Sequence, residues 1–188
     1  MVGGGRHDGP MFTLKSVWRP AAPVARVWSV LADPRFTWPD WWPGLTAAAT
    51  RPVVGPDGLA AAGTWADLRV RSPLGYSLQF RLDLRRTTAP SDGEPGRALL
   101  DVSGDLAGSA EVTVRAAGVG AGGFEVSTGS TNGGATSEGS TEVQLLWLVS
   151  PVPAWFRVAA RIGPAPLAWA HAHVMRAGER GLAERLLG

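Results

Sequence analysis

Polar and apolar residues alternate from residue 12 to residue 19, with Phe12, Leu14, Ser16 and Trp18 on one side and Thr13, Lys15 and Arg19 on the other. A period of two places successive side chains on opposite faces of an extended chain, so this stretch predicts a half-buried strand. Pro20 and Pro23 end it. Pro23 suits the first turn of a helix, where its missing N–H costs nothing. Val24, Val27, Trp28 and Leu31 then recur at helical spacing and predict one apolar stripe running to about Asp33, where Pro34 stops it. The next stretch, RFTWPDWWPG (35–44), holds three tryptophans and is broken by Pro39 and Pro43, which predicts a short helix or turn.

From Leu45 the pattern is that of strands. Residues 45–54 predict one, closed by a turn at GPDG (55–58). Residues 63–72 alternate, with Ala66, Leu68 and Val70 set against Asp67, Arg69 and Arg71. Residues 76–86 alternate more cleanly, with Tyr76, Leu78, Phe80, Leu82 and Leu84 on one face. Matching the two apolar faces pairs Val70 with Tyr76, Leu68 with Leu78 and Ala66 with Phe80. The hairpin then needs an odd-length loop, with Gly75 at a bulge in a positive-φ conformation. Residues 98–106, 110–116 and 141–150 complete a run of about six strands; the last has Val143, Leu145, Trp147 and Val149 on one face.

Between the last two lies a Gly/Ser/Thr-rich segment (118–140), expected to form a long loop with a weak strand through Phe124–Ser127. The chain then turns helical. Trp155, Val158, Ala159 and Ile162 form an amphipathic piece, GPAP (163–166) interrupts it, and Leu167, Ala170, His171, Val174, Ala177 and Leu182 carry the apolar stripe onward. Gly178 and Gly181 each weaken a helix by roughly 1 kcal/mol relative to alanine, which predicts close approach of this helix to the sheet. The order implies an α+β architecture: a curved antiparallel sheet, dry on one side, wrapped around one long C-terminal helix. A sheet curled about a single helix leaves a cavity at its open end.

Composition bounds the chemistry. The 188 residues suffice for one domain, expected over 11–188 after a flexible polar leader (1–10). Cysteine is absent, which removes thiolate nucleophiles, disulfides and Cys-ligated metals. His171 and His173, two apart, point to different faces of a helix and do not chelate together, so no metal is expected. GVGAGG (118–123) fits a dinucleotide fingerprint but opens no helix, and no cofactor is expected. A net charge of +2 is too weak to indicate nucleic acid. Asp67, Arg69, Arg71, Arg81, Asp83 and Arg85 mix signs on the outer face, and the pattern places no aromatic platform among them. With no signal-peptide core and no membrane-length apolar run, the expected location is the cytoplasm.

The strand and helix WRPAAPVARVWSVLADP (18–34), the WPDWWPGL stretch (38–45), SGDLAG (103–108) and HAHVMRAGERGLAERL (171–186) together resemble the SRPBCC superfamily, whose helix-grip fold is shared by START lipid-transfer domains and birch-pollen-type allergens. Within it the chain looks most like bacterial polyketide cyclase/dehydrase-type proteins. The resemblance covers most of residues 11–187 and implies a hydrophobic cavity between sheet and C-terminal helix that takes an apolar or aromatic small molecule. It also leaves room for a non-catalytic interaction module, with the Trp-rich stretch as the contact, or a lipid- or quinone-type carrier docking on a larger assembly.

The candidate ligand-binding set is Trp38, Trp41, Trp42, Tyr76, Phe80, Trp147, His171 and Met175; none is assigned a catalytic role. Phe80, Leu82, Leu145 and Trp147 are expected on one inner face. Tyr76 either offers its hydroxyl to a ligand or is a core tyrosine with a wet tip. His171 either points into the cavity, as a hydrogen-bonding group or a near-neutral acid/base, or is a helix histidine bonded to a backbone carbonyl or exposed at the rim. Of Trp38, Trp41 and Trp42, at least one is expected to plug the core and another to line the entrance.

Overall fold

The computed structural model describes residues 11–118, 139–153 and 164–188, with the side chains of 164–167 excepted. The leader, the Gly/Ser/Thr-rich loop from residue 119 with its weak strand, and the amphipathic piece at 155–162 lie outside the described residues. The elements run β1 (Phe12–Trp18), α1 (Val24–Leu31), α2 (Trp38–Trp41), β2 (Leu45–Arg51), β3 (Trp65–Arg71), β4 (Ser77–Thr88), β5 (Gly96–Gly104), β6 (Leu106–Ala116), β7 (Thr141–Pro151) and α3 (Pro164–Leu187). Among the described residues seven strands form one antiparallel sheet in the order β1-β7-β6-β5-β4-β3-β2. This is the expected helix-grip arrangement. β2 ends three residues early, at Arg51, and Val54 instead bridges Ala60 across the GPDG turn.

The β3–β4 hairpin differs from the expected register. Val70 faces Leu78, Leu68 faces Phe80 and Ala66 faces Leu82, a slip of two residues along β4. Because side chains alternate with period two, a two-residue slip keeps every apolar residue on the inner face, so face-matching alone does not resolve it. The turn decides: the Gly75 N–H donates to the Ser72 carbonyl, the Ser72 N–H donates to the Tyr76 carbonyl, and Gly75 sits at φ 87°. That is a three-residue loop with glycine at the left-handed bulge position. Gly44 likewise turns the chain into β2, at φ 84°.

The sheet curls sharply. β4 and β7 are three strand steps apart, about 14 Å in a flat sheet. Yet the rings of Phe80 on β4 and Trp147 on β7 meet edge-on at 6.0 Å between centroids. Gly104 opposite Phe80 and Ala110 opposite Trp147 add little bulk beside the rings, which leaves room for them to lean together over β5 and β6.

The helices close the other side. Thr141 ties the β1–α1 turn to the start of β7, its Oγ1–H donating to the Ala22 carbonyl at 2.6 Å and its N–H to that of Pro20. Trp18, 1% exposed, presents an edge to Trp42 at 5.1 Å, and Trp42 stacks on Trp41 at 5.8 Å. The Trp42 indole N–H donates to the Val174 carbonyl of α3 at 3.0 Å. Gly178 and Gly181 do make a close approach, but to α2 and not to the sheet. A Cβ on Gly178 would enter the Trp42 ring, and one on Gly181 would run into the Trp41 carbonyl.

Gly181→Ala is therefore expected to destabilise the protein by at least about 1 kcal/mol, since overpacking against rigid backbone outweighs the roughly 1 kcal/mol of helix propensity gained. Urea denaturation measures this; a stabilised variant would contradict the close contact.

Candidate functional site

A cavity of about 140 Å³ lies between the inner face of the sheet and α3. A space of that size has room for several waters. Its walls would leave most of those waters without partners. β1 gives Phe12 and Leu14, β3 Leu68 and Val70, β4 Leu78, Phe80 and Leu82, and β7 Trp147 and Val149. Trp38 and Trp42 come from the α2 region, and Val174 and Met175 from α3. The indole N–H groups of Trp38 and Trp42 are taken up by the carbonyls of Leu31 (2.9 Å) and Val174. Both rings thus meet the cavity as apolar walls.

Among the described residues the polar side chains on the wall are Ser72, Tyr76 and His171. The Ser72 hydroxyl accepts the Leu74 N–H within the hairpin turn. His171 points inward and its Nε2 lies 3.3 Å from Ser16 Oγ on β1. Burial pushes the imidazole pKa down from 6.5 to about 4, so the ring is neutral at neutral pH. The structure thus gives the inward-pointing alternative, with a hydroxyl and not a backbone carbonyl as partner. It corrects the near-neutral acid/base expectation. A conjugate acid near 4 accepts protons poorly at pH 7, where a general base works best with a pKa close to the working pH. The same neutral ring is a good hydrogen-bonding partner for an uncharged oxygen or nitrogen.

Of the candidate set, Trp38, Trp42, Tyr76, Phe80, Trp147, His171 and Met175 line this cavity. Trp41 does not; it packs under α3 at Gly181, stacked on Trp42. Leu145 shares the inner face but is 1% exposed, sealed in the core behind the cavity. Trp38, Trp41 and Trp42 are all buried, which removes the Trp-rich stretch as an exposed contact for a partner; an exposed indole is Trp169 on α3. Sequence reasoning missed Ser16 as the histidine's partner and Ser72 as a wall residue. A lone serine in the apolar register of β1 was the available signal for Ser16.

The outer face carries the expected ion pairs. Arg81 grips Asp67 through two bonds of 2.7 and 2.8 Å, and Arg85 pairs with Asp101 at 3.2 Å. An aromatic ring does accompany the arginines there. Trp65 carries the Arg81 guanidinium 3.9 Å above its ring. With its face covered, it is no stacking platform for a base. The described residues contain no group of three or more His, Asp or Glu side chains that would hold a metal ion. No described helix is long and apolar enough to cross a membrane.

Neither a protein-family model nor a curated protein sequence matches the chain. Solved structures do. KanY aligns over 95% of this chain and 99% of its own, at TM-score 0.55 and 16% identity. A Thermus thermophilus protein aligns over 94% and 97%, at 0.57 and 13%. Norcoclaurine synthase from Thalictrum, solved with a transition-state analogue, aligns over 97% and 98%, at 0.50 and 13%. This chain shares the helix-grip fold of these solved structures. Identities this low establish the fold alone, since one fold hosts many activities.

The His171 environment has a pH signature. The folded pKa is about 4 against 6.5 when unfolded, so the unfolded chain binds the extra proton first. Stability is full above pH 6.5 and falls as pH drops from 6.5 to 4, by on the order of 3 kcal/mol. Glu142, held below its ordinary 4.5 by the Arg115 guanidinium, loses its share only at lower pH. His171→Gln is expected to flatten the 6.5-to-4 window in urea melts, and an unchanged slope would contradict a buried neutral histidine.

Proposed function

We propose that the protein holds an uncharged, aromatic or otherwise apolar small molecule in this cavity, with one polar atom of the ligand hydrogen-bonded to His171. The observation that supports the reading most is the combination of aromatic walls (Trp42, Phe80, Trp147) with a single buried, neutral imidazole. A charged ligand would lose its hydration against such walls with no counter-charge to replace it. An apolar ligand gains roughly 25 cal/mol for each Å² it removes from water. Norcoclaurine synthase, with its transition-state analogue, is a solved case of the same fold taking a small organic molecule.

A polyketide cyclase-like activity is the finer form of the proposal. Catalysis would consist mainly of folding a flexible chain inside a shaped space, with His171 and Tyr76 orienting the reacting groups by hydrogen bonds. The low basicity of His171 favours holding over turnover.

Native mass spectrometry of the purified protein is expected to show a co-purifying hydrophobic compound, and its complete absence together with no uptake of 2-naphthol would defeat the proposal. Trp147→Ala and Phe80→Ala should each weaken 2-naphthol binding about tenfold, the loss of one aromatic contact in a dry site. An enzyme should further lose turnover on His171→Ala or Tyr76→Phe while keeping its affinity; a carrier has no turnover to lose.

A further inference from the structure

A second, smaller cavity of about 40 Å³ lies beneath α1, lined by Trp28, Phe36, Leu84 and Leu100 among others. Trp38 and Leu82 are the two side chains that belong to both cavities. The register shows how the two spaces are arranged. Along the inner face of β4, Leu78 and Phe80 line the large cavity, Leu82 lines both, and Leu84 lines the small one. On the neighbouring strands, Val70 and Leu68 stand opposite Leu78 and Phe80, while Leu100 stands opposite Leu84. The cavities therefore follow one another along β4, and Trp38 from the helix side and Leu82 from the sheet side stand between them.

The helix-side half of this partition is rigidly held. The Trp38 indole N–H is bonded to the last residue of α1, Leu31, at 2.9 Å. Its ring packs on Phe36 at 4.7 Å and on Trp42 at 6.0 Å. Phe36 is buried at φ 57°, a conformation that bulky residues avoid and that persists only where the surroundings impose it. The turn around it is pinned by the Asp33 carboxylate, which accepts from the Arg35 N–H and the Thr37 hydroxyl. An exposed loop has no need of a strained phenylalanine; a fixed wall does.

We infer that Trp38 and Leu82 form an end wall that gauges ligand length, so that the cavity admits compact ring-sized molecules and excludes long acyl chains. This rests on the small-molecule reading above and narrows it, placing the ligand among aromatic compounds and not among lipids. Without the wall, an acyl chain would run along β4 into the space beneath α1, gaining burial with each added methylene.

The test is fluorescence titration of the full chain with two dimethylaminonaphthalene probes that differ only in a propionyl or a lauroyl chain. The parent protein is expected to bind the propionyl compound and to bind the lauroyl compound at least tenfold more weakly. Leu82→Ala, and independently Trp38→Leu, should each raise the ratio of lauroyl to propionyl affinity at least tenfold. Two variants from opposite sides of the wall are needed because Trp38→Leu also strips the Leu31 carbonyl of its donor. A parent protein that binds the lauroyl compound as tightly as the propionyl one overturns the inference, as does an unchanged ratio in whichever variant folds. Failure of the parent protein to bind either compound overturns the small-molecule reading itself, and the inference with it.

Discussion

The height at which α3 rides over the sheet is set by the Trp42 ring, the Trp41 carbonyl and two missing methyl groups. The Trp42 ring lies against Gly178 and the Trp41 carbonyl against Gly181, the two positions at which α3 has no side chain to keep them out. The Trp42 N–H to Val174 carbonyl bond fixes the rotation of the helix as well as its height. Burying an indole removes roughly 150–250 Å² from water, on the order of 4–6 kcal/mol each before entropy. Against this stand the indole N–H groups of Trp18 and Trp41, buried with no acceptor among the described residues. Each costs about 1–3 kcal/mol, less than the area gained. Packing wins, and the helix is locked at one end.

A helix locked at one end over a curled sheet must stand clear of it elsewhere. The clearance is the cavity, and its chemistry follows from the alternation that built the strands. Every inward position of β3, β4 and β7 near the space is apolar or aromatic, so water gains little by entering. The single imidazole that α3 brings to the wall loses its charge for the same reason, and its bond to Ser16 holds the ring toward β1. Apolar walls and a few neutral polar groups suit recognition of uncharged molecules, and they give the site little power to move protons at neutral pH.

The fold was legible in the sequence because alternation, proline stops and helical spacing all pointed the same way. Where local patterns were degenerate, reading failed. The β3–β4 register slipped by two residues because both registers hide the same face, and only the hydrogen bonding of the Ser72–Tyr76 turn separates them. Gly178 and Gly181 announced a close approach but not its partner, since a missing side chain carries no address. The tryptophans at 38, 41 and 42 look alike in sequence, yet Trp41 seals the helix contact, Trp42 serves contact and cavity, and Trp38 divides two cavities. The Ser16–His171 pair joins residues 155 apart, a distance no motif spans.

The interior between β4, β7 and α3 is the proposed ligand site. The chain has three methionines, of which Met175 lines the cavity and Met11 is exposed. With methyl-¹³C methionine labelling, titration with 2-naphthol should move the Met175 methyl resonance by a ring-current shift and leave that of Met11 in place. A saturable shift at Met11, with Met175 unmoved, would contradict the account.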